Sequence, residues 1–184
     1  DAATRKAADT ASLFQAIRQS DKEYLLIPRH SSENRDYVPM GYVSSDVVCG
    51  DANSTVPNAS LYHFGVMTSK THNAWMRALA GRIKSDYRYS ASIVYNNFAW
   101  PTPTDKQKAT IEKAAQAVLD ARLLFPQSSL ADLYDPLSMP PELVKAHQQL
   151  DKAVDAAYGK NFKNEAERVA HLFELYQQLN APLV

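Results

Sequence analysis

A single cysteine, Cys49, rules out a disulfide within the chain and fits a reducing compartment. Net charge is missing as well. Twenty Lys and Arg balance twenty Asp and Glu, so no global field draws the molecule toward nucleic acid or anionic lipid. No apolar run approaches the roughly 20 residues that span a bilayer. The opening residues DAATRKAADTASLFQAIRQ lack the continuous apolar core of a signal peptide. They read as an amphipathic helix with Leu13, Phe14 and Ile17 on one side, cut from something longer. Metal-ligand spacing is lacking, since Cys49 stands alone and His30, His63, His72, His147 and His171 follow no ligand pattern. No G-x-S-x-G turn accompanies His30-Ser31-Ser32-Glu33, which therefore reads as a polar loop rather than a nucleophilic triad.

What is present suffices for a core: 184 residues, 45% hydrophobic and 22% charged, enough for one medium domain or two small ones. Residues 1–101 carry turn residues, β-branched runs and most of the aromatics. Strands are expected over Glu23–Pro28, Tyr37–Val43, Asp46–Cys49 and the region after Arg82, with polar loops RHSSENRD and GDANSTVPNAS between them. A helix is expected from Lys70 to Ala80, capped by Ser69 and stopped by Gly81, with Trp75, Met76 and Leu79 inward and Lys70, Asn73 and Arg77 outward. Beyond the PTPT break at 101–104 the pattern is helical. Thr104 with Gln107 forms a capping box for a helix to about Phe125. Pro140 and Pro141 open a second helix, with Leu143, His147, Leu150, Val154 and Ala157 inward and Gly159 as its stop. Asn164 with Glu167 opens a third, with Val169, Leu172, Phe173, Tyr176 and Leu179 as its buried stripe. Asp151, Asp155, Glu165 and Glu167 read as solvated helix surface. The fold class expected is α+β, a mixed α/β part over 1–101 followed by a small helical bundle over 102–184.

Charge is not evenly spread. Residues 1–68 and 102–184 are each net −2, whereas 69–101 hold Lys70, Arg77, Arg82, Lys84 and Arg88 against Asp86 alone. Such a focused patch survives screening over a Debye length of about 8 Å. In an extended Arg82–Asn96 segment, side chains alternate between faces. One face would carry Ile83, Ser85, Tyr87, Tyr89, Ala91, Ile93 and Tyr95, to pack on a core. The other would carry Arg82, Lys84, Asp86, Arg88, Ser90, Ser92, Val94 and Asn96. Arg and Lys donate to guanine O6 and N7, and Asp accepts from the cytosine amino group, so Lys84 and Asp86 together suit a G·C pair. Arg82, Arg77, Lys70 and the serines suit phosphates. A solvated strand face with a local Lys–Asp pair explains the same pattern.

The string HFGVMTSKTHNAWMRALAGRIKSDYRYSASIVYNNFAWP, His63 to Pro101, resembles the target recognition domain of a bacterial DNA methyltransferase family. These are large single-chain enzymes related to type IIL restriction–modification proteins, together with methylases of phage-defence systems. IPRHSSENRDYVPMGYVSSDVVCGD (Ile27–Asp51) and ADLYDPLSMPPELVKAHQQLDKAVDAAYG (Ala131–Gly159) resemble the same family, the latter its C-terminal helical segment. The resemblance implies a DNA target recognition domain over 1–101 and a C-terminal helical domain over 102–184. It implies double-stranded DNA and the methyltransferase core of the same parent chain as partners, a cytoplasmic setting, and no membrane. In the family that core supplies the S-adenosylmethionine pocket and an Asn-Pro-Pro-Tyr motif that holds a flipped adenine. Neither that motif nor a Gly-rich cofactor loop occurs here, so this piece is expected to be catalytically silent, with no cofactor of its own. Lys84 and Asp86 fall on positions through which the family exchanges base preference, with Arg88 nearby. A Lys with an Asp there goes with guanine on the read strand. The expected base-reading set is therefore Lys84, Asp86 and Arg88. The expected backbone set is Lys70, Asn73, Arg77, Arg82, Ser90, Arg29, Ser31 and Ser32, with His30 beside them. The family's Phe-Pro-Trp-Pro appears here as Phe98-Ala99-Trp100-Pro101. Two rivals remain at this stage: a helical scaffold that docks a nuclease or defence partner, and a free-standing hydrolase using Ser31 or Ser32.

Overall fold

The apolar run YLLIP becomes β1, Tyr24–Pro28, the middle strand of a three-stranded antiparallel sheet. The structure is a computed structural model that describes residues 2–8, 10–12 and 19–181. The apolar stripe expected of Leu13, Phe14 and Ile17 lies outside the described residues. A short helix α1, Ala2–Ala8, precedes them.

Two strand expectations change. Of Tyr37–Val43, only Gly41–Val43 (β3) joins the ladder with β1. Tyr37, Val38 and Met40 are buried without strand partners, and the Val38 N–H donates to the Asn73 side-chain oxygen at 2.8 Å. Asp46–Cys49 is no strand: Ser44 bonds Asp46, the Val47 N–H returns to the Ser44 carbonyl, and Val47 and Val48 face solvent. The partner of β1 on that side is β4, Asn53–Pro57, in register Tyr24↔Pro57 to Pro28↔Asn53. Its polar sequence reads as a loop because it is an edge strand, half solvated, where a proline is tolerated.

At Arg29 the chain leaves this sheet for a second one, ordered β2-β6-β5: His30–Ser31, Asp86–Arg88 and Gly81–Ile83. Between the sheets run α2, Leu61–Met67, and α3, Lys70–Leu79. The first was not legible, because His63 stands where Glu or Gln completes the usual capping box: its Nδ1 accepts from the Ser60 N–H at 3.1 Å. The second matches its sequence signals, with the Ser69 hydroxyl accepting from the His72 N–H and Ala80 closing the end.

The helical half is α4, Asp105–Leu123, α5, Leu130–Leu133, α6, Pro141–Ala157, and α7, Glu165–Leu179. The Thr104–Gln107 box and the Asn164 cap are both formed, and Gly159 takes φ +67 at the end of α6. The expected α6 stripe is buried throughout, but in α7 only Leu172 is fully so, and Leu179 is 73% exposed.

One core runs through both halves: Trp75, Met67 and Phe64 share it with Ile111, Leu150 and Leu172. A Cβ on Gly65 of α2 would lie 2.8 Å from Ile111 Cγ2 and 3.1 Å from Ala115 Cβ of α4. The Gly65 backbone packs directly on α4 side chains there, so Gly65→Ala should overpack the seam and cost on the order of 1–3 kcal/mol, read as a lower denaturant midpoint.

Polar groups seal the same seam. Asp151 accepts from the Tyr37 hydroxyl and from the Lys70 N–H, each at 2.7 Å, while Asp155 accepts from Thr71 Oγ1 at 2.7 Å and pairs with Arg168 at 2.5 Å. Both carboxylates are 6% exposed, not solvated as their charge suggests. They sit over the first turn of α3, where free N–H groups and the helix dipole favour negative charge. Glu165 is also spoken for, by Arg77. Glu167 is exposed and accepts from the Lys163 N–H.

Candidate nucleic-acid interface

Ala80 ends α3 and Gly81 begins β5, so the basic segment springs directly from the buried helix. It does not run on as one strand. After Ile83 the chain reverses through Lys84 and Ser85 into β6, in register Gly81↔Arg88, Arg82↔Tyr87 and Ile83↔Asp86. Lys84 adopts φ +56, a left-handed conformation that suits glycine or asparagine and costs a lysine about 1–2 kcal/mol.

The reversal changes which side chains share a face. Along one strand Arg82 would point with Asp86 and Arg88, but directly paired residues across a ladder point the same way. Arg82 therefore lies on the Tyr87 side. Its guanidinium sits 4.3 Å from the Tyr87 ring centre, and its nitrogens donate to the Tyr87 hydroxyl, the Ser85 carbonyl and the Glu33 carboxylate. Ile83, expected inward, joins Asp86 on the outer face and is 43% exposed.

Within β6 and the residue after it the alternation holds. Asp86 and Arg88 are exposed, while Tyr87 and Tyr89 are 7% and 2% exposed. Tyr89 is the anchor: its N–H donates to the Arg29 carbonyl at 2.8 Å and its hydroxyl meets His72 Nε2 at 2.9 Å. On the other flank β2 pairs His30 with Arg88 and Ser31 with Tyr87. The outer face thus gathers His30, Arg88, Asp86 and Ile83, with Lys84 at the tip. The side chains of Lys84, Asp86 and Arg88 make no hydrogen bond or ion pair among the described residues.

The ribbon stops at Ser90, where Ala91–Tyr95 forms a turn of π-helix instead of strand. The Val94 carbonyl accepts from Trp75 Nε1, and the Asn97 amide donates to the Ser92 and Ile93 carbonyls. Side-chain donors thus satisfy what a strand partner would have satisfied, which local periodicity cannot show. In the string that follows, Ala99 is buried and its carbonyl accepts from the Tyr158 hydroxyl.

The expected phosphate contacts separate. Arg77 is taken by Glu165, at 2.6 and 2.9 Å, and by the Asp36 carbonyl. Asn73 is buried and bonded to Val38 and to the Ser69 carbonyl, so it is structural and does not share an outer face with Lys70. Lys70 is half-buried, its ammonium 5.9 Å from the Tyr37 ring centre. Ser31 is buried, Ser32 accepts from the Asn34 N–H, and Ser90 shares a hydrogen bond with Ser92. Arg29 stays exposed, its Nε 3.4 Å from Ser54 Oγ. The pairing of His30 with Arg88 spans 58 positions, and no local pattern announces it.

Comparison with known proteins gives this geometry a family. Residues 1–102 match the MmeI target recognition domain and residues 103–184 the MmeI C-terminal domain. DNA methyltransferase A of Bacillus subtilis (strain 168) is 38% identical over 180 residues, covering 97% of this chain and 20% of that protein. The type IIL restriction-modification enzyme MmeI, solved in complex with DNA, superimposes with a TM-score of 0.90 at 50% identity, over 97% of this chain and 24% of that one. The chain thus spans a fifth to a quarter of the length of these relatives. Among the described residues no helix is long and apolar enough to cross a membrane. With both of its parts matched in order, the chain belongs to the MmeI target recognition domain family, followed by the MmeI C-terminal domain.

Proposed function

We propose that this chain is the sequence-reading part of a DNA methyltransferase of the restriction–modification type. Its β5–β6 hairpin enters the major groove, which admits a two-stranded ribbon. Lys84, Asp86 and Arg88 address base edges, and Arg29 and His30 lie toward the phosphates. The observation that carries this reading is a division of labour among the charges. Arg77 and Arg82 are neutralised by Glu165 and Glu33, whereas Lys84, Asp86 and Arg88 stand exposed on the hairpin without partners among the described residues. A lysine kept at φ +56 adds support, since the turn alone would favour glycine.

Methyl transfer, to adenine N6 with S-adenosylmethionine as donor, belongs on this reading to a catalytic part outside the chain. That part also supplies the other side of a DNA clamp, in a protein working in the cytoplasm. The test is to exchange Lys84 and Asp86 in the full-length protein and map methylated sites. One base pair of the recognised sequence should change, with about 1–3 kcal/mol of discrimination lost against the original base. An unchanged site would remove the base-reading assignment.

A further inference from the structure

The outer face of the hairpin holds one large apolar side chain. Ile83 is directly paired with Asp86, shares its side of the ribbon and is 43% exposed. Its neighbours from Gly81 to Asp86 are exposed as well, so a large part of its side chain stays open to solvent. Arg82, the residue beside it, is turned away to Glu33 and Tyr87, which leaves the isoleucine projecting next to the reading groups rather than packed beneath them. On a face that addresses base edges, an apolar side chain is complemented by an apolar group. Among the base edges of the major groove the apolar feature is the 5-methyl group of a pyrimidine, borne by thymine and lacking on cytosine.

The geometry points to Ile83 as a methyl-reading residue, sensing whether a pyrimidine in or next to the pair addressed by Asp86 carries a 5-methyl group. Directly paired residues have Cβ atoms about 4.5–5.5 Å apart, and successive bases on one strand rise about 3.4 Å. The methyl belongs to the pair that Asp86 addresses or to the next one. This inference rests on the DNA-reading function proposed above.

The experiment is competition binding by the full-length protein on duplexes carrying its own recognised site. Each thymine in the site and its flanks is replaced singly by uracil, and each cytosine singly by 5-methylcytosine. One buried methyl is worth about fourfold in affinity, from ~0.8 kcal/mol per buried carbon. The wild type should show such a change at one pyrimidine. Ile83→Ser and Ile83→Asn, which remove the branched apolar surface, should lose that response and keep the rest of the base preference. The inference is overturned if no pyrimidine responds in the wild type, or if the same one responds equally in both variants. It is also overturned if the variants weaken every duplex uniformly. Failure of the methyl scan while the Lys84–Asp86 exchange alters the site removes Ile83 alone. Failure of the exchange removes the underlying reading.

Discussion

Asp155→Ala should lower the stability of the whole chain by about 3–5 kcal/mol, a large share of the roughly 5–15 kcal/mol that holds a domain folded. The carboxylate is 6% exposed and satisfies two elements at once, the Thr71 hydroxyl at the start of α3 and the Arg168 guanidinium of α7. Removing it leaves a guanidinium that is only 11% exposed without its counter-charge, and a buried hydroxyl without its acceptor. Arg168→Leu added to Asp155→Ala should recover part of the loss, because the stranded charge is then gone. Denaturant unfolding followed by tryptophan fluorescence and by helical circular dichroism checks this. The two signals should move together, since Trp75 packs with Phe98 on one side and with Phe173 and Tyr176 of α7 on the other. The two halves would thus unfold as one body. The consequence reaches the interface: α3 runs straight into the hairpin, so a loosened seat for α3 should blur base discrimination before the protein unfolds.

Acidification from pH 8 to pH 5 should destabilise the fold by a net amount on the order of 3 kcal/mol from three buried groups. His72 and His147 are fully buried. Desolvation pulls both from 6.5 to about 3, joined at His147 by the charges of Arg122 and Lys70. Both are neutral in the fold and protonated in the unfolded chain below 6.5, so their contribution is full above that pH and lost as pH falls. Asp151 works the other way. Burial raises its carboxyl from 3.8 to about 6, against the hydrogen bonds from the Lys70 N–H and the Tyr37 hydroxyl. Its contribution is full below 3.8 and fades as pH rises through 6, so on acidification it offsets roughly one of the two histidines. The hydrogen bonds agree with a neutral His147. Arg122 donates twice to the Tyr134 oxygen, whose own hydrogen is left for His147 Nε2 at 2.6 Å, and Nδ1 has no partner among the described residues. Melting temperature against pH tests this, and His147→Phe should remove about half of the histidine-driven fall. An unchanged slope in that variant would show that the acid response comes from elsewhere.

Helices α3, α4, α6 and α7 were legible because their signals are local. Ser69, Thr104 and Asn164 each cap a helix from the position that the sequence indicates, and Gly159 ends one with the backbone angle that glycine permits. The candidate site was legible in part. Among the described residues Lys84, Asp86 and Arg88 are exposed members of the basic segment without partners, and Tyr87 and Tyr89 are buried beneath them. The strand reading failed at Arg82 and Ile83, because a two-residue reversal exchanges the faces of the two strands and period-2 counting cannot see a reversal that no Gly or Asn announces. Asn73, Arg77 and Ser31 carry the right chemistry for phosphate, yet each meets a partner inside the protein. Those partners, Val38, Glu165 and the pairing of β2 with β6, are 30 to 90 positions away in the chain.

By itself the sequence determined what depends on neighbours within about five residues: the helices α3, α4, α6 and α7, the apolar stripe of α6, and the concentration of positive charge between 69 and 101. Only the tertiary structure decided which of those charges remain free and which carboxylates, Asp151 and Asp155 among them, are drawn inside. It also decided that His30 stands beside Arg88. Charge and hydrogen-bonding capacity belong to a residue type, but whether they are spent internally depends on what the fold brings within about 3 Å, and chain order does not encode that distance.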